Sequence, residues 1–389
     1  MRVAVFRNGR FFCFSEVGNF GKRGESMLLE GEFRNPSGCA ISAVFDKTGA
    51  RFSGKDIIDS IAVMRDRSNG LGGGFACYGI YPDKKDLYAF HVFFTIHSAR
   101  KDFEEYIARY YEIDSSEDIP TRKIPEIVDE PEIRRYFVYP KQSYIDFVKT
   151  GADECVFRTV FAVNTEIKGA YVFSSGKNMG IFKAVGYPED VGRFYRLEEY
   201  DGYLFTAHGR YPTNTPGWWG GAHPFGLLGL SVVHNGEISS YDANRRAMEM
   251  YGYKCTLLTD TEVITYILDY LTRKKGLTFE ETAEVIAAPF WERIDRMSEE
   301  DKARATYLRD VFSSELVTGP FSIIVGFDGG VMALNDRLKL RSLAVAEKGN
   351  KVYMASEESA IRRVCPAFDK MFYAEGGKPV VYRVKGGKQ

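Results

Sequence analysis

Residues able to do chemistry gather at four places in this sequence. The first is Cys39, in NPSGCAISAVFD, where a thiol sits between a turn-like Asn-Pro-Ser-Gly and a run that alternates like a strand. By itself such a cysteine reads as a small buried hydrophobe. The second is TAHGRYPTNTPGWWGGAHPF, residues 206–225, which holds His208, Arg210, Tyr211, Thr213, Asn214 and His223 in a loop broken by Gly and Pro. Long loops of this kind carry function or move. Arg210 has the planar fork that grips both oxygens of a carboxylate, although a structural ion pair would use it equally well. The adjacent Trp218 and Trp219 either cover a pocket or meet a partner, or else one packs inward while the other anchors the loop.

The third place is VVHNGEI, residues 232–238. Asn-Gly alone is a strong hairpin signal. Read as chemistry, the Asn235 amide and the Gly236 N–H would converge on an oxygen that becomes negative, forming an oxyanion hole. The fourth is TDTE, residues 259–262. Thr259 and Glu262 fit a capping box at the start of a helix, which leaves Asp260 at the helix's positive end. A carboxylate held there suits a substrate ammonium. An Arg for a carboxylate, an Asp for an ammonium, two oxyanion donors and a thiol together describe one substrate class. It is an amino acid with a hydrolysable side-chain amide, glutamine or asparagine.

The elements that must position these groups are legible in outline. CAISAVFD reads as a strand and KTGARFSG as a turn and return, followed by a helix in DIIDSIAVMRDR. GLGGGFACYGIYPDKKDLYAFHVFFTI reads as two strands joined at PDKKD. RKDFEEYIARYYEI reads as a helix, and DSSEDIPTRKIPEIVDEPEI as a surface connection. In TDTEVITYILDYLTRKKG, the residues Val263, Ile264, Ile267, Leu268 and Leu271 form one apolar helical stripe. A long polar helical region fills about 280–314. The tail reads as antiparallel strands turning at Gly-Gly and Gly-Asn. Strand pairs at both ends with helices between them point to an α+β sandwich with one core.

Composition narrows the class. The chain has 389 residues, 44% hydrophobic and 27% charged, with a formal net charge of −1, so no nucleic-acid footprint is expected. No apolar run approaches the length of a membrane span, and residues 1–20 lack the continuous apolar core of a signal peptide. The six cysteines show no CxxC spacing, so no zinc or iron–sulfur site is expected in this chain. Reduced thiols and a cytoplasmic protein follow as the plain expectation.

On these motifs the sequence resembles the class II glutamine amidotransferases, which are N-terminal nucleophile hydrolases. It looks most like the amidotransferase domain of glutamate synthase carried on a separate chain. SGCAISAVFD resembles the nucleophile strand, HGRYPTNTPGWW and AHPF the glutamine loop, HNGEI the oxyanion segment and TDTEVI the amino-group site. GPFSIIVGFDGGVMALNDRLKLRSL followed by ASEE resembles the family's C-terminal strands. The resemblance implies a four-layer αββα sandwich. It implies Cys39 as nucleophile, Asn235 and Gly236 as oxyanion hole, and Arg210 and Asp260 as the groups that bind glutamine. Tyr211, Thr213 and His208 belong with the substrate contacts. Arg67 matches the family's Arg-Gly pair, with Ser68 in place of the Gly.

The resemblance also implies partner chains of a glutamate synthase, carrying FMN and an iron–sulfur cluster, which would receive the ammonia. N-methylglutamate synthase has a similar subunit. Thirty-eight residues precede Cys39, whereas the family's nucleophile is the first residue of its chain. Residues 1–38 are therefore a candidate propeptide and 39–389 the amidotransferase domain, enlarged at about 82–198. Left uncut, the same segment would suit a non-catalytic regulatory or scaffold subunit.

Overall fold

In a computed structural model of the chain, residues 4–7, 10–13, 38–212 and 217–386 are described. Residues 1–35 form a compact unit of their own. Within it, Ala4–Arg7 pairs antiparallel with Arg10–Cys13; Gly38, also described, belongs to the second unit. The rest of the candidate propeptide lies outside the described residues, as does Thr213.

Residues 36–389 form the second unit. Its centre is a seven-stranded antiparallel sheet in which Ala40–Asp46 lies between Leu204–Gly209 and Lys351–Ala355. A five-stranded antiparallel sheet is built from Phe225–Leu227, Leu230–Gly236, Phe321–Phe327, Gly330–Asn335 and Val380–Arg383. The two sheets share one core, where Val233, Ile324 and Ala333 meet Ile41, Ala43 and Phe45. Helices Lys55–Ala62, Pro188–Phe194 and Glu358–Val364 cover the outer face of the larger sheet. Helix Asp260–Asp269 covers the smaller sheet, with Tyr241–Met250 beside it. This is the expected αββα sandwich, and the apolar stripe from Val263 to Leu271 is buried in it.

Alternation along the strands decides what faces the site. Ser42 Oγ bonds Ser60 Oγ on the helix Lys55–Ala62 at 2.7 Å, so even-numbered residues of Ala40–Asp46 face helices and odd ones face the smaller sheet. In Leu230–Gly236, Val233 packs in the inter-sheet core, while Val232 packs in the core around helix Asp260–Asp269. Asn235 therefore points toward the nucleophile strand and His234 toward that helix.

Several local expectations change. Phe52–Ser53 does not return on Ala40–Asp46 but pairs with Asp201–Gly202. The strands flanking PDKKD, Gly73–Tyr78 and Tyr88–Phe94, belong to different sheets. The supposed surface connection begins as a strand, Tyr111–Asp118. It joins Glu132–Pro140, Tyr88–Phe94 and Ala170–Ser174 in a four-stranded sheet. That sheet, with helices His97–Tyr110, Gln142–Val148 and Ala152–Glu166, makes up most of the enlarged region. Its residues Phe157 and Phe161 pack edge-on against Tyr253 and Tyr266 at 5.0 and 5.3 Å. The polar region after 280 splits into Phe279–Ile286, Trp291–Ile294 and Glu299–Val311. No helix among the described residues is long and apolar enough to cross a membrane.

Candidate active site

Strand ends bring the four sequence patches to one cavity. It has a volume of about 500 Å³ and is lined by Cys39, Arg210, Tyr211, Gly236 and Asp260 among others. Cys39 precedes the central strand, and its carbonyl accepts a hydrogen bond from Arg67 Nε at 3.2 Å. Arg67 also pairs with Glu357 at 2.9 Å, so ASEE is tied to the nucleophile. Burial pushes the Cys39 thiol up to about 11. The Tyr211 N–H, 3.5 Å from Sγ, works against this; Asp260 adds to the rise and Arg210 opposes it.

Arg210 follows the strand Leu204–Gly209, and its backbone is held on both sides. Its N–H donates to the Gly72 carbonyl at 2.9 Å and its carbonyl accepts from Ser68 Oγ at 3.0 Å. Ser68 thus braces the arginine from the position where the family has Gly. Gly72 has φ +150, and a β-carbon there would lie 3.1 Å from Arg210 Cδ. Gly72→Ala is expected to destabilise the fold by about 1–3 kcal/mol through backbone strain and to weaken glutamine binding with it. Thermal melts and glutamine titration check this; unchanged affinity would show that Gly72 does not set the arginine.

Asp260 is the first residue of its helix, after the N-cap Thr259. Burial disfavours its charge, but His234 and the N–H groups of Thr261 and Ile238 outweigh burial and hold its carboxyl below the ordinary range. The capping box is not formed. Thr259 accepts from the Thr261 N–H, while Glu262 accepts from the N–H groups of Thr256 and Leu257 at 3.1 and 3.0 Å. A helix-start pattern predicts the cap but not a loop close enough to compete for Glu262.

Asn235 is 1% exposed and its Nδ2 donates to Ser356 Oγ at 3.2 Å, leaving Oδ1 buried without a partner. Ser356 Oγ also accepts from the Ile41 N–H at 3.2 Å. Turning the amide over would let the serine hydroxyl donate to Oδ1 and would aim Nδ2 where Oδ1 now points. That direction is toward Gly38, where a β-carbon would stand 3.9 Å from Oδ1. Gly236 lines the cavity at φ +144, and the Pro320 carbonyl leaves no room there for a β-carbon. The Asn-Gly pair thus ends a strand and does not turn a hairpin.

His208 is placed with the other motifs but not at the cavity wall. It is fully buried, its Nε2 bonds the His234 carbonyl at 2.9 Å, and burial pushes its pKa down to about 3. The wall holds His223 and His234 instead, both reaching Thr261 Oγ1, at 2.7 and 3.2 Å. Of the two tryptophans, Trp219 packs inward on Phe93 at 5.6 Å, and the half-exposed Trp218 lines the cavity. His234, Thr261 and Ser356 lie inside HNGEI, TDTEVI and ASEE, but those motifs alone do not single them out.

The chain can be set beside known proteins. Residues 126–364 match the family described as Glutamine amidotransferases class-II, a span that includes Arg210, Asn235, Gly236 and Asp260. An uncharacterized protein of Archaeoglobus fulgidus is 46% identical over 366 residues, covering 93% of this chain and 96% of that one. The amidophosphoribosyltransferase of Methanocaldococcus jannaschii is 24% identical over 201 residues, covering 51% of this chain and 37% of that one. The glutamine–fructose-6-phosphate aminotransferase of Sulfurisphaera tokodaii is 35% identical over 102 residues, covering 26% and 17%. The chain thus spans well under half the length of these two named relatives. The family match covers more than half of the 389 residues, and the chain belongs to the class II glutamine amidotransferases.

Proposed function

We propose that the chain hydrolyses the side-chain amide of glutamine through a thioester on Cys39 and passes the ammonia to a partner synthase. The observation that carries this reading is a single cavity with a thiol, an arginine and a helix-start aspartate on its walls. Arg210 takes the α-carboxylate and Asp260 the α-ammonium, with Tyr211 beside the thiol. The thiolate attacks the amide carbon, Asn235 and Gly236 hold the oxyanion, and ammonia leaves. Water then releases glutamate from the thioester. The base is the α-amino group that Cys39 gains once residues 1–38 are removed.

A glutamate synthase fits as the ammonia acceptor because the motif set looks most like its amidotransferase domain; FMN and iron–sulfur chemistry would belong to that partner. Mass spectrometry of the Cys39 peptide, quenched during turnover, tests the reaction. A γ-glutamyl adduct on Cys39 is expected, and steady ammonia release with no adduct there would sink the mechanism. A second reading, a non-catalytic regulatory subunit, is favoured by the 38 residues that precede Cys39, which would block its nitrogen if they stayed attached. A chain that binds glutamine, stays uncut and releases no ammonia would be that subunit.

A further inference from the structure

The buried strand Met179–Ala184 carries one charge, Lys183, which is 1% exposed. Its stem lies against Gly74, where a β-carbon would come within 2.7 Å of Lys183 Cβ. Its ammonium donates to the Gly220 carbonyl at 2.8 Å and sits 4.4 Å from the ring centre of Phe225. Burial pushes the ammonium's pKa down to about 7; Glu262, also 1% exposed, opposes that shift and Arg210 adds to it.

Each of these two buried groups bonds a segment next to or within the cavity lining. Gly220 lies under Trp218, which lines the cavity and whose ring is so close to Gly220 and Gly221 that β-carbons there would come within 2.1 and 2.7 Å of it. Arg210 Nη1 lies 3.5 Å from the same position on Gly221. Glu262 holds the N–H groups of Thr256 and Leu257, which also line the cavity. The mechanism above uses neither Lys183 nor Glu262.

We propose that Lys183 is a positioning residue for glutamine binding. With Glu262 as its counter-charge, it pins Gly220 and so sets Trp218 and the Arg210 guanidinium where they receive the α-carboxylate. A buried ammonium bonded to a backbone carbonyl is a stiff restraint, because releasing it would leave the charge without its acceptor. The inference rests on the glutamine-binding reading of the cavity.

The test is glutamine titration followed by tryptophan fluorescence, to which Trp218 contributes, together with KM and kcat for ammonia release. Lys183→Met keeps the length and removes the charge. It is expected to weaken glutamine binding and raise KM by about 10- to 100-fold, with kcat within about twofold of the parent. Parent-like affinity in Lys183→Met overturns the inference, and so does a fall in kcat at unchanged KM. If Lys183→Met does not fold, Glu262→Gln carries the test, with weaker binding expected and parent affinity overturning it. A parent chain that binds no glutamine sinks the reading of the cavity and this inference with it. A parent that binds glutamine while the variant matches it sinks only the role of Lys183.

Discussion

Cutting the Gly38–Cys39 bond is expected to raise glutamine turnover by about 10²- to 10⁴-fold, the usual worth of a positioned general base. In the uncut chain the thiol sits at about 11. At pH 7 only about one molecule in 10⁴ would then carry a thiolate. The nitrogen of Cys39 cannot help, because its lone pair is delocalised into the peptide bond. Freed, the same nitrogen becomes an amine of pKa about 7.7–8.0, adjacent to the thiol it must deprotonate. Cleavage also withdraws Gly38 from the Asn235 amide. Ammonia release should be compared between the full chain and one beginning at Cys39, with intact mass recorded for each sample; Cys39→Ala should release none from either. The pH dependence separates the two states. Alkylation of Cys39 in the uncut chain should climb about tenfold per pH unit through pH 10, because its thiol remains protonated up to about 11. In the cut chain the rise should bend near the pKa of the amine. Equal turnover by an uncut chain would remove the need for the amine.

The sandwich and the pocket-forming motifs were legible for different reasons. Helix Asp260–Asp269 announced itself because Val263, Ile264, Ile267, Leu268 and Leu271 keep helical spacing against one sheet. The pocket motifs were legible as a set, since thiol, arginine, oxyanion donors and aspartate each resist a purely structural reading only in company. What failed was strand partnership. PDKKD looks like a hairpin loop because local sequence reports a turn, yet Gly73–Tyr78 and Tyr88–Phe94 are drawn into separate sheets by partners far along the chain. Lys183 was illegible for a related reason. In MGIFKAV a lysine reads as the polar position of an alternating strand, but the loop at Gly220 covers that face. In GLGGG the last three glycines make room for Arg210 at Gly72, Pro188 at Gly73 and Lys183 at Gly74.

Asp260→Asn and Arg210→Met are each expected to lower kcat/KM for glutamine by about 2–5 kcal/mol, from roughly 30-fold to a few thousand-fold, the range for removing one member of a buried charge pair. The loss alone would not assign roles, because both side chains also act electrostatically on Cys39. Substrate analogues supply the assignment. Glutaramate is glutamine without its α-amino group. If Asp260 binds that group, the parent should strongly prefer glutamine, while Asp260→Asn should treat the two nearly alike. Glutamine α-amide, which lacks the carboxylate, should show the same loss of discrimination with Arg210→Met and keep it with Asp260→Asn. Retained preference for glutamine over glutaramate in Asp260→Asn would take the amino-group role away from Asp260. Acid stability gives an independent check. The folded carboxyl lies below its ordinary value, so its contribution is complete above about pH 4, the unfolded value, and fades as pH falls through the folded one. Asp260→Asn should therefore lose stability at neutral pH and show a shallower decline in acid. That pattern follows because the helix start, His234 and the backbone of Ile238 were arranged around an anion.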